Sequence, residues 1–334
     1  MRCSLSQWER AGVREKALEQ WGVPKMFLHH LSSGQSDSQQ TIPVRDYDLA
    51  ATLACGQAFR WREREGWWGG VIAGRWVQLR QVEEGIAFQT APPVDDDFSL
   101  RHYLQTEVDL ASVLTTFPDD EPMRNSVAAC RGLRLLRQEP WECLASFILS
   151  STKQIVQIQQ IVALLCERFG ARLLVPPGHE PMFDFPSVER IAACTEQELR
   201  DCKMGFRAPN LLRTAKMIVA SEVDLHRLHS LNVEEARAEL LKFPGVGNKI
   251  ANCALLFAYG FQQAFPVDVW VMKALRELYF PKRRVSEKRL ARFTATHFGP
   301  NAGYAQQYLF HYMRTRGGPR QGGASLSPAR RGEA

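Results

Sequence analysis

The chain has 334 residues, enough for two or three modest domains with cores of their own. Apolar residues make up 45% and charged residues 23%, the balance of an ordinary globular protein rather than a fibrous or low-complexity one. A formal net charge of +6 leans basic, which suits a polyanionic partner without requiring one.

The eight cysteines (Cys3, Cys55, Cys130, Cys143, Cys166, Cys194, Cys202, Cys253) are scattered, with no C-x-x-C pair. That spacing argues against a zinc or iron–sulfur centre and against a disulfide framework, so reduced thiols, no metal and no cofactor are expected. No run approaches 18 uncharged apolar residues, so no membrane span is expected. The opening residues carry Glu9, Glu15, Lys16 and Glu19 and no apolar stretch, so no secretory signal is expected.

In chain order, residues 1–45 read as an N-terminal extension. A short amphipathic run is followed by "SSGQSDSQQT", whose polarity marks a linker. Residues 46–135 form a first unit that opens with β texture. "WWGGVIAG", "RWVQLRQ" and "GIAFQT" alternate Val77 and Leu79 with Gln78 and Arg80, and Ile86 and Phe88 with Gln89, and Glu83-Glu84-Gly85 supplies a turn. A small twisted antiparallel sheet is predicted.

From about residue 97 the texture is helical, and residues 136–314 read as a helical domain. "ECLASFILSS", "IVQIQQIVALLCERFG", "PSVERIAACTEQELRDC", "APNLLRTAKMIVASEV", "NVEEARAELLKF" and "NKIANCALLFAYG" space their apolar residues at helical intervals. Gly170, Pro176-Pro177, Gly205 and Pro244 punctuate them. The last stretch, 315–334, is rich in Gly, Pro, Ser and Arg and is predicted to be a disordered tail. The fold class is α+β: a twisted antiparallel sheet domain, then a mostly helical one.

One stretch stands out. In "FPGVGNKIANC", Lys249 opens a helix whose other residues, Ile250 to Ala258, are apolar on nearly every side. Lysine is seldom buried without a partner or a task, although a solvated first-turn position is the commoner reading. Gly245-Val246-Gly247 makes a tight turn and leaves amide groups at the start of the helix. Such amides suit a phosphate, and the same pattern also serves as a plain structural hairpin. Cys253 lies one turn after Lys249 on the same face.

Asp268 follows in "FPVDVWVMKAL", with Pro266 before it and an apolar helix after it. It reads as a helix N-cap. A lysine at the positive end of a helix supplies an amine nucleophile, and a fixed carboxylate steadies positive charge on a sugar ring. The pair suits cleavage of an N-glycosidic bond through an amine adduct.

"FPGVGNKIANC" followed by "FPVDVW" resembles the helix-hairpin-helix plus Gly-Pro-Asp signature of the base-excision DNA glycosylase superfamily, and within it the 8-oxoguanine DNA glycosylases of the eukaryotic type. The likeness runs from about residue 46 to 314. "ACGQAFRW" resembles the entry to that family's N-terminal sheet domain, and "GLRLLRQEPWECLASFILSS" the start of its helical domain. "CKMGFRA" resembles its opposite-strand reader and "AGYAQQYLF" its final base-pocket helix.

The resemblance implies that Lys249 is the Schiff-base nucleophile and Asp268 the stabilising carboxylate. It implies that the Gly56 carbonyl accepts the N7–H of 8-oxoguanine, that Cys253 and Phe310 sandwich the flipped base, and that Gln306 bonds its Watson–Crick edge. Phe206 would wedge into the duplex and Arg207 would bond the orphaned base. Thr152, Lys153, Gln157, Gly245, Val246, Gly247 and Trp270 would contact DNA. Each also has a plainer reading: Gly56 as a turn glycine, Gln306 as a solvated helix position, Phe310 as core.

The pattern departs from the family in several places. Thr152-Lys153-Gln154 stands where three asparagines are usual, Gln157 where an arginine reads the orphan cytosine, Trp270 where a histidine touches backbone, and Phe206 where a tyrosine wedges. These departures imply a loosened preference for cytosine opposite the lesion. The implied activity is a monomeric glycosylase and AP lyase acting on duplex DNA that contains oxidised guanine. The expected location is the nucleoid in a bacterium or the nucleus in a eukaryote. Two other readings stay open: a related glycosylase for alkylated purines, and a non-catalytic helix-hairpin-helix DNA binder that would need neither Lys249 nor Asp268.

Overall fold

A computed structural model describes residues 40–94, 96–151, 153–281 and 285–316. The extension up to residue 39, Thr152 and the stretch from 317 lie outside the described residues. Five strands, β1 (Gln40–Pro43), β2 (Arg62–Arg64), β3 (Trp67–Ile72), β4 (Arg75–Val82) and β5 (Gly85–Ala91), form one sheet in the order β1-β5-β4-β3-β2. The β2–β3, β3–β4 and β4–β5 pairs are antiparallel, and Leu79 lies opposite Phe88. Val77, Leu79, Ile86 and Phe88 pack inward on Ile42, Trp61, Leu100 and Leu104, so the period-two alternation sets the buried face.

β1 lies inside the segment expected to be linker, so the sheet begins earlier than the change of texture at residue 46 suggests. Its one apolar side chain, Ile42, is wholly buried, and Pro43 ends an edge strand, where a missing donor is tolerated. A single buried residue among polar neighbours has no alternation to reveal it.

Two of the hairpins turn on two residues whose φ angles are both positive, Glu65-Gly66 (55°, 79°) and Ala73-Gly74 (49°, 70°). This turn matches the right-handed twist of the strands but strains any first residue other than Asn, Asp or Gly. An L-alanine in the left-handed region costs about 1 kcal/mol. Ala73→Asn should therefore raise stability by roughly 0.5–1 kcal/mol. The check is a higher urea midpoint with an unchanged slope; a lower midpoint would mean the turn is held by something other than its own backbone.

The helices are α1 (Leu49–Ala54), α2 (Phe98–Leu104), α3 (Leu110–Leu114), α4 (Glu121–Ala129), α5 (Pro140–Leu149), α6 (Ile155–Phe169), α7 (Val188–Ala192) and α8 (Glu196–Leu199). They continue with α9 (Ala208–Val219), α10 (Val233–Leu240), α11 (Asn248–Ala254), α12 (Val269–Ala274), α13 (Glu287–His297) and α14 (Ala302–Arg316). Wider helical turns extend α11 through Leu255–Tyr259 and α12 through Leu275–Tyr279. The helical stretch read from "PSVERIAACTEQELRDC" is two short helices. Thr195 caps the second by exchanging hydrogen bonds with Glu198, which restarts the helix after Cys194. α14 runs two residues past Arg314, into the segment expected to be tail.

The core of the helical part is α11, buried from Ile250 to Ala258 except Asn252, packed against α5. α5 starts at Pro140, where the missing N–H costs nothing, and Glu139 accepts the amides of Trp141 (3.0 Å) and Glu142 (2.6 Å). It then buries every side chain from Cys143 to Leu149, ending at Ser150. Its C-terminal end is thereby set against the start of α11, where Lys249 stands.

Candidate active site

The α10–α11 connection folds as a tight hairpin. Val246 is buried and donates its N–H to the Phe243 carbonyl at 3.2 Å, while Gly245 adopts φ 75°, a conformation that favours glycine. Gly247 caps α11 with no side-chain hydrogen bond, so the first amides of that helix have no side-chain acceptor. Gly245 and Gly247 are exposed, and a Cβ placed on Gly247 would meet nothing within 4 Å.

Lys249, in the first turn, is half-buried. Its Nζ donates to the Ser150 Oγ at 3.0 Å and sits 5.1 Å from the centroid of the Phe147 ring. The Ser150 hydroxyl in turn donates to the Phe147 carbonyl at 2.7 Å, which fixes its lone pairs toward the lysine. Among the described residues no carboxylate lies within ion-pair distance of Lys249. The amine is held by a hydroxyl and an aromatic face.

Asp268 caps α12, accepting the N–H groups of Trp270 at 3.0 Å and Val271 at 2.8 Å. Burial pushes its carboxyl above the ordinary aspartate range, and the Val271 amide and the charge of Lys249 pull it partly back. Cys253 is 3% exposed, and burial drives its thiol up to about 11, against the pull of Lys249 and with the push of Asp268. The three side chains thus feel one another's charge, and at neutral pH Cys253 is an uncharged thiol.

A second group forms around Gly56, in the loop after α1. Gly56 has φ 79°, and a Cβ there would stand 2.8 Å from the Ile155 Cδ1. The loop is held by Gln57, which is fully buried. Its amide donates to the Thr52 and Arg134 carbonyls, both at 2.8 Å, and accepts the Leu136 N–H at 2.8 Å. α14 lies alongside, anchored by Tyr308 donating to the Leu133 carbonyl at 3.1 Å and by Gln307 donating to the Cys55 carbonyl at 3.1 Å. Gln306 is 3% exposed and its Oε1 has no hydrogen-bond partner. A buried amide oxygen left empty is costly unless a ligand fills it. Phe310, one turn on, is also buried.

The residues expected to meet DNA are placed unevenly. Phe206 is 60% exposed, and Val269, beside Asp268, is 79% exposed. Arg207 is buried; its guanidinium donates to the Ser151 carbonyl and, at 3.3 Å, to that of Met204, and lies 4.2 Å from the Phe206 ring. Gln157 is exposed and turns back to accept the Gln154 N–H at 3.2 Å, capping α6. Lys153 is half-buried, and Trp270 packs under the Lys273 ammonium at 5.6 Å. Thr152 lies outside the described residues.

Sequence reasoning missed Ser150, Gln57, Gln307 and Arg314. Only Arg314 had a signal, since Gln306, Phe310 and Arg314 repeat every four residues and so share a helical face.

A mostly helical domain with a glycine hairpin, a half-buried lysine and a capping aspartate defines a base-excision repair protein of the helix-hairpin-helix class, and the comparisons agree. Residues 145–298 match the HhH-GPD superfamily base excision DNA repair proteins, and residues 40–144 match the 8-oxoguanine DNA glycosylase N-terminal domain. The probable N-glycosylase/DNA lyase of Methanothermobacter thermautotrophicus is 30% identical over 304 residues, 83% of this chain and 96% of that protein. The N-glycosylase/DNA lyase OGG1 of Arabidopsis thaliana is 29% identical over 315 residues, 89% of this chain and 83% of that protein. Among solved structures, Clostridium acetobutylicum 8-oxoguanine glycosylase/lyase, in complex with double-stranded DNA containing cytosine opposite 8-oxoguanine, superposes with a TM-score of 0.77 at 32% identity, over 84% of this chain and 99% of that one. The chain belongs to the 8-oxoguanine DNA glycosylase family of N-glycosylase/DNA lyases.

Proposed function

We propose that this protein removes 8-oxoguanine, and formamidopyrimidine, from duplex DNA and then cleaves the strand at the abasic site. The observation that carries this reading is Lys249, tethered to Ser150 with no carboxylate within ion-pair distance among the described residues, yet within reach of the charge of a capping Asp268. The amine, having shed a proton, forms a bond to C1′ as the C1′–N9 bond breaks and its electron pair leaves with the base. Asp268 steadies the positive charge on the sugar. The adduct opens to an imine, and loss of a C2′ proton then expels the 3′ phosphate. The base must be extruded first, because C1′ cannot be reached within the stack. One chain carries nucleophile, carboxylate and pocket, which supports action as a monomer.

The empty Gln306 Oε1 supports a purine bearing N–H donors on its Watson–Crick edge, as oxidised guanine does. A 3-methyladenine DNA glycosylase from Archaeoglobus fulgidus superposes with a TM-score of 0.68 but 22% identity, a likeness of fold alone. The test is borohydride trapping on duplexes carrying 8-oxoguanine, formamidopyrimidine, uracil or 3-methyladenine. Trapping and release confined to the first two are expected. Equal removal of 3-methyladenine or of undamaged guanine would sink the pocket assignment, and the absence of any adduct would favour the non-catalytic binder.

Partner-base reading is expected to be loose. Gln157, where the family carries an arginine, caps α6, so Arg207 is the one arginine of the pair, and it must exchange its carbonyl bonds for the acceptors of an orphan cytosine. Losing one charged contact removes roughly 1–3 kcal/mol of discrimination. Excision should be fastest opposite cytosine yet within about a hundredfold opposite the other bases, that energy expressed as a rate ratio. Gln157→Arg should sharpen the preference. A wild-type preference above roughly a thousandfold, unmoved by that substitution, would mean another residue does the reading.

A further inference from the structure

Arg314 is the third residue of the Gln306–Phe310 stripe on α14. Its Nη2 donates to the Ala54 carbonyl at 2.6 Å, and its guanidinium carbon lies 5.7 Å from the Phe310 ring centroid. Its Nη1 stands 3.5 Å from the position a Cβ on Gly56 would take. Among the described residues it makes no ion pair, although the negative charge of Asp268 reaches it. A half-buried guanidinium with five N–H donors is thus held beside the backbone of Gly56 with one bond to a carbonyl and no carboxylate to neutralise it.

The five-membered ring of 8-oxoguanine presents two groups side by side, the N7–H donor and the O8 acceptor. If the Gly56 carbonyl takes N7–H, O8, on the ring atom beside N7, comes next to the Gly56 backbone, where the Arg314 guanidinium is held. We propose that Arg314 donates a charge-assisted hydrogen bond to O8 of the flipped base, so that the lesion is read by an acceptor–donor pair rather than by the Gly56 carbonyl alone. Guanine has C8–H in place of O8 and would leave the guanidinium unpaired as well as clash with the carbonyl, so the two contacts discriminate in the same direction. The same bond assists departure. When the C1′–N9 bond breaks, its electron pair goes to N9 and is shared through C8 with O8, where a fixed cation stabilises it until the released base takes a proton from water.

This inference rests on the oxidised-purine reading above, and one experiment separates the two. Single-turnover base release from an 8-oxoguanine:cytosine duplex, and borohydride trapping on the same duplex with an abasic site, would be measured for the full chain and for R314L, R314Q and R314K. The abasic duplex needs Lys249 and Asp268 but has no base to read. Arg314→Leu and Arg314→Gln should lower release of 8-oxoguanine by roughly tenfold to a hundredfold, the scale of one hydrogen bond to a charged group. Arg314→Lys should recover part of it, and abasic trapping should stay within a few-fold for all three. Wild-type rates on 8-oxoguanine for R314L and R314Q would overturn the inference alone. Equal loss on both duplexes would also overturn it, placing Arg314 with the fold or with the Lys249–Asp268 charges. A wild-type protein that traps the abasic duplex but leaves 8-oxoguanine in place would overturn the oxidised-purine reading and this inference together.

Discussion

Lys249→Gln should abolish base removal and borohydride trapping, a fall of roughly four decades or more, the scale of losing a catalytic nucleophile. Glutamine reaches nearly as far and its amide can still donate to the Ser150 hydroxyl, so the local packing on Phe147 is kept. The wild-type lysine has no carboxylate partner within ion-pair distance among the described residues, so no ion pair is broken; Asp268 loses only the longer-range pull of the lysine's charge, and the melting temperature should move little. Duplex binding should survive as well, because it comes mainly from backbone amides at the hairpin and from surface basic groups. Gel-shift titration on a duplex with an uncleavable abasic analogue separates the two effects. A variant that binds as the wild type does and forms no adduct locates the nucleophile. Normal trapping would place it at another amine, and loss of binding together with trapping would make Lys249 a DNA contact.

The lysine was conspicuous because a polar residue stands at the start of an apolar run, and the structure gives that contrast its cause: α11 is buried from Ile250 to Ala258 except Asn252, while its first turn reaches solvent. The sheet was readable for the same reason, since Val77, Leu79, Ile86 and Phe88 are constrained in alternation. β1 was not, because one buried isoleucine carries no period. The break between α7 and α8 was written in Thr195 and Glu198 as a reciprocal cap, and the surrounding helical spacing masked it.

The site was less visible than the fold. The two motifs place Lys249, Cys253 and Asp268 near enough to feel one another's charge. Ser150 and Gln57 act through side-chain bonds to residues far along the chain, Lys249 in one case and the Arg134–Leu136 segment in the other. Such long-range pairings leave no local pattern. Gln157 shows the converse. Its place three residues after Gln154 suits a helix cap, a local rule that competes with any role toward DNA, and the cap is what the structure forms.

Asp268→Asn should leave the fold intact and lower turnover by roughly two to four decades, the range for removing one preorganised electrostatic stabiliser. Asparagine caps helices as well as aspartate does, and its Oδ1 can still accept the Trp270 and Val271 amides. Burial holds the Asp268 carboxyl above its ordinary range, which means that folding opposes its charge. While the carboxyl is ionised, the wild type bears that opposition in full. As pH falls through the raised value the carboxyl is protonated in the folded state first, and the opposition fades until the unfolded value is passed. The neutral asparagine never bears it, so the variant should be as stable as the wild type or slightly more so at pH 7, with the difference closing in acid. Urea melts at pH 7 and pH 4 read that sign. Chemistry has the opposite need, since only the carboxylate can face a cationic sugar. A variant that is stable, binds DNA and is nearly inactive is therefore the expected result. A variant destabilised at pH 7 would show that the charge serves the helix, and the assignment of Asp268 to catalysis would fail with it.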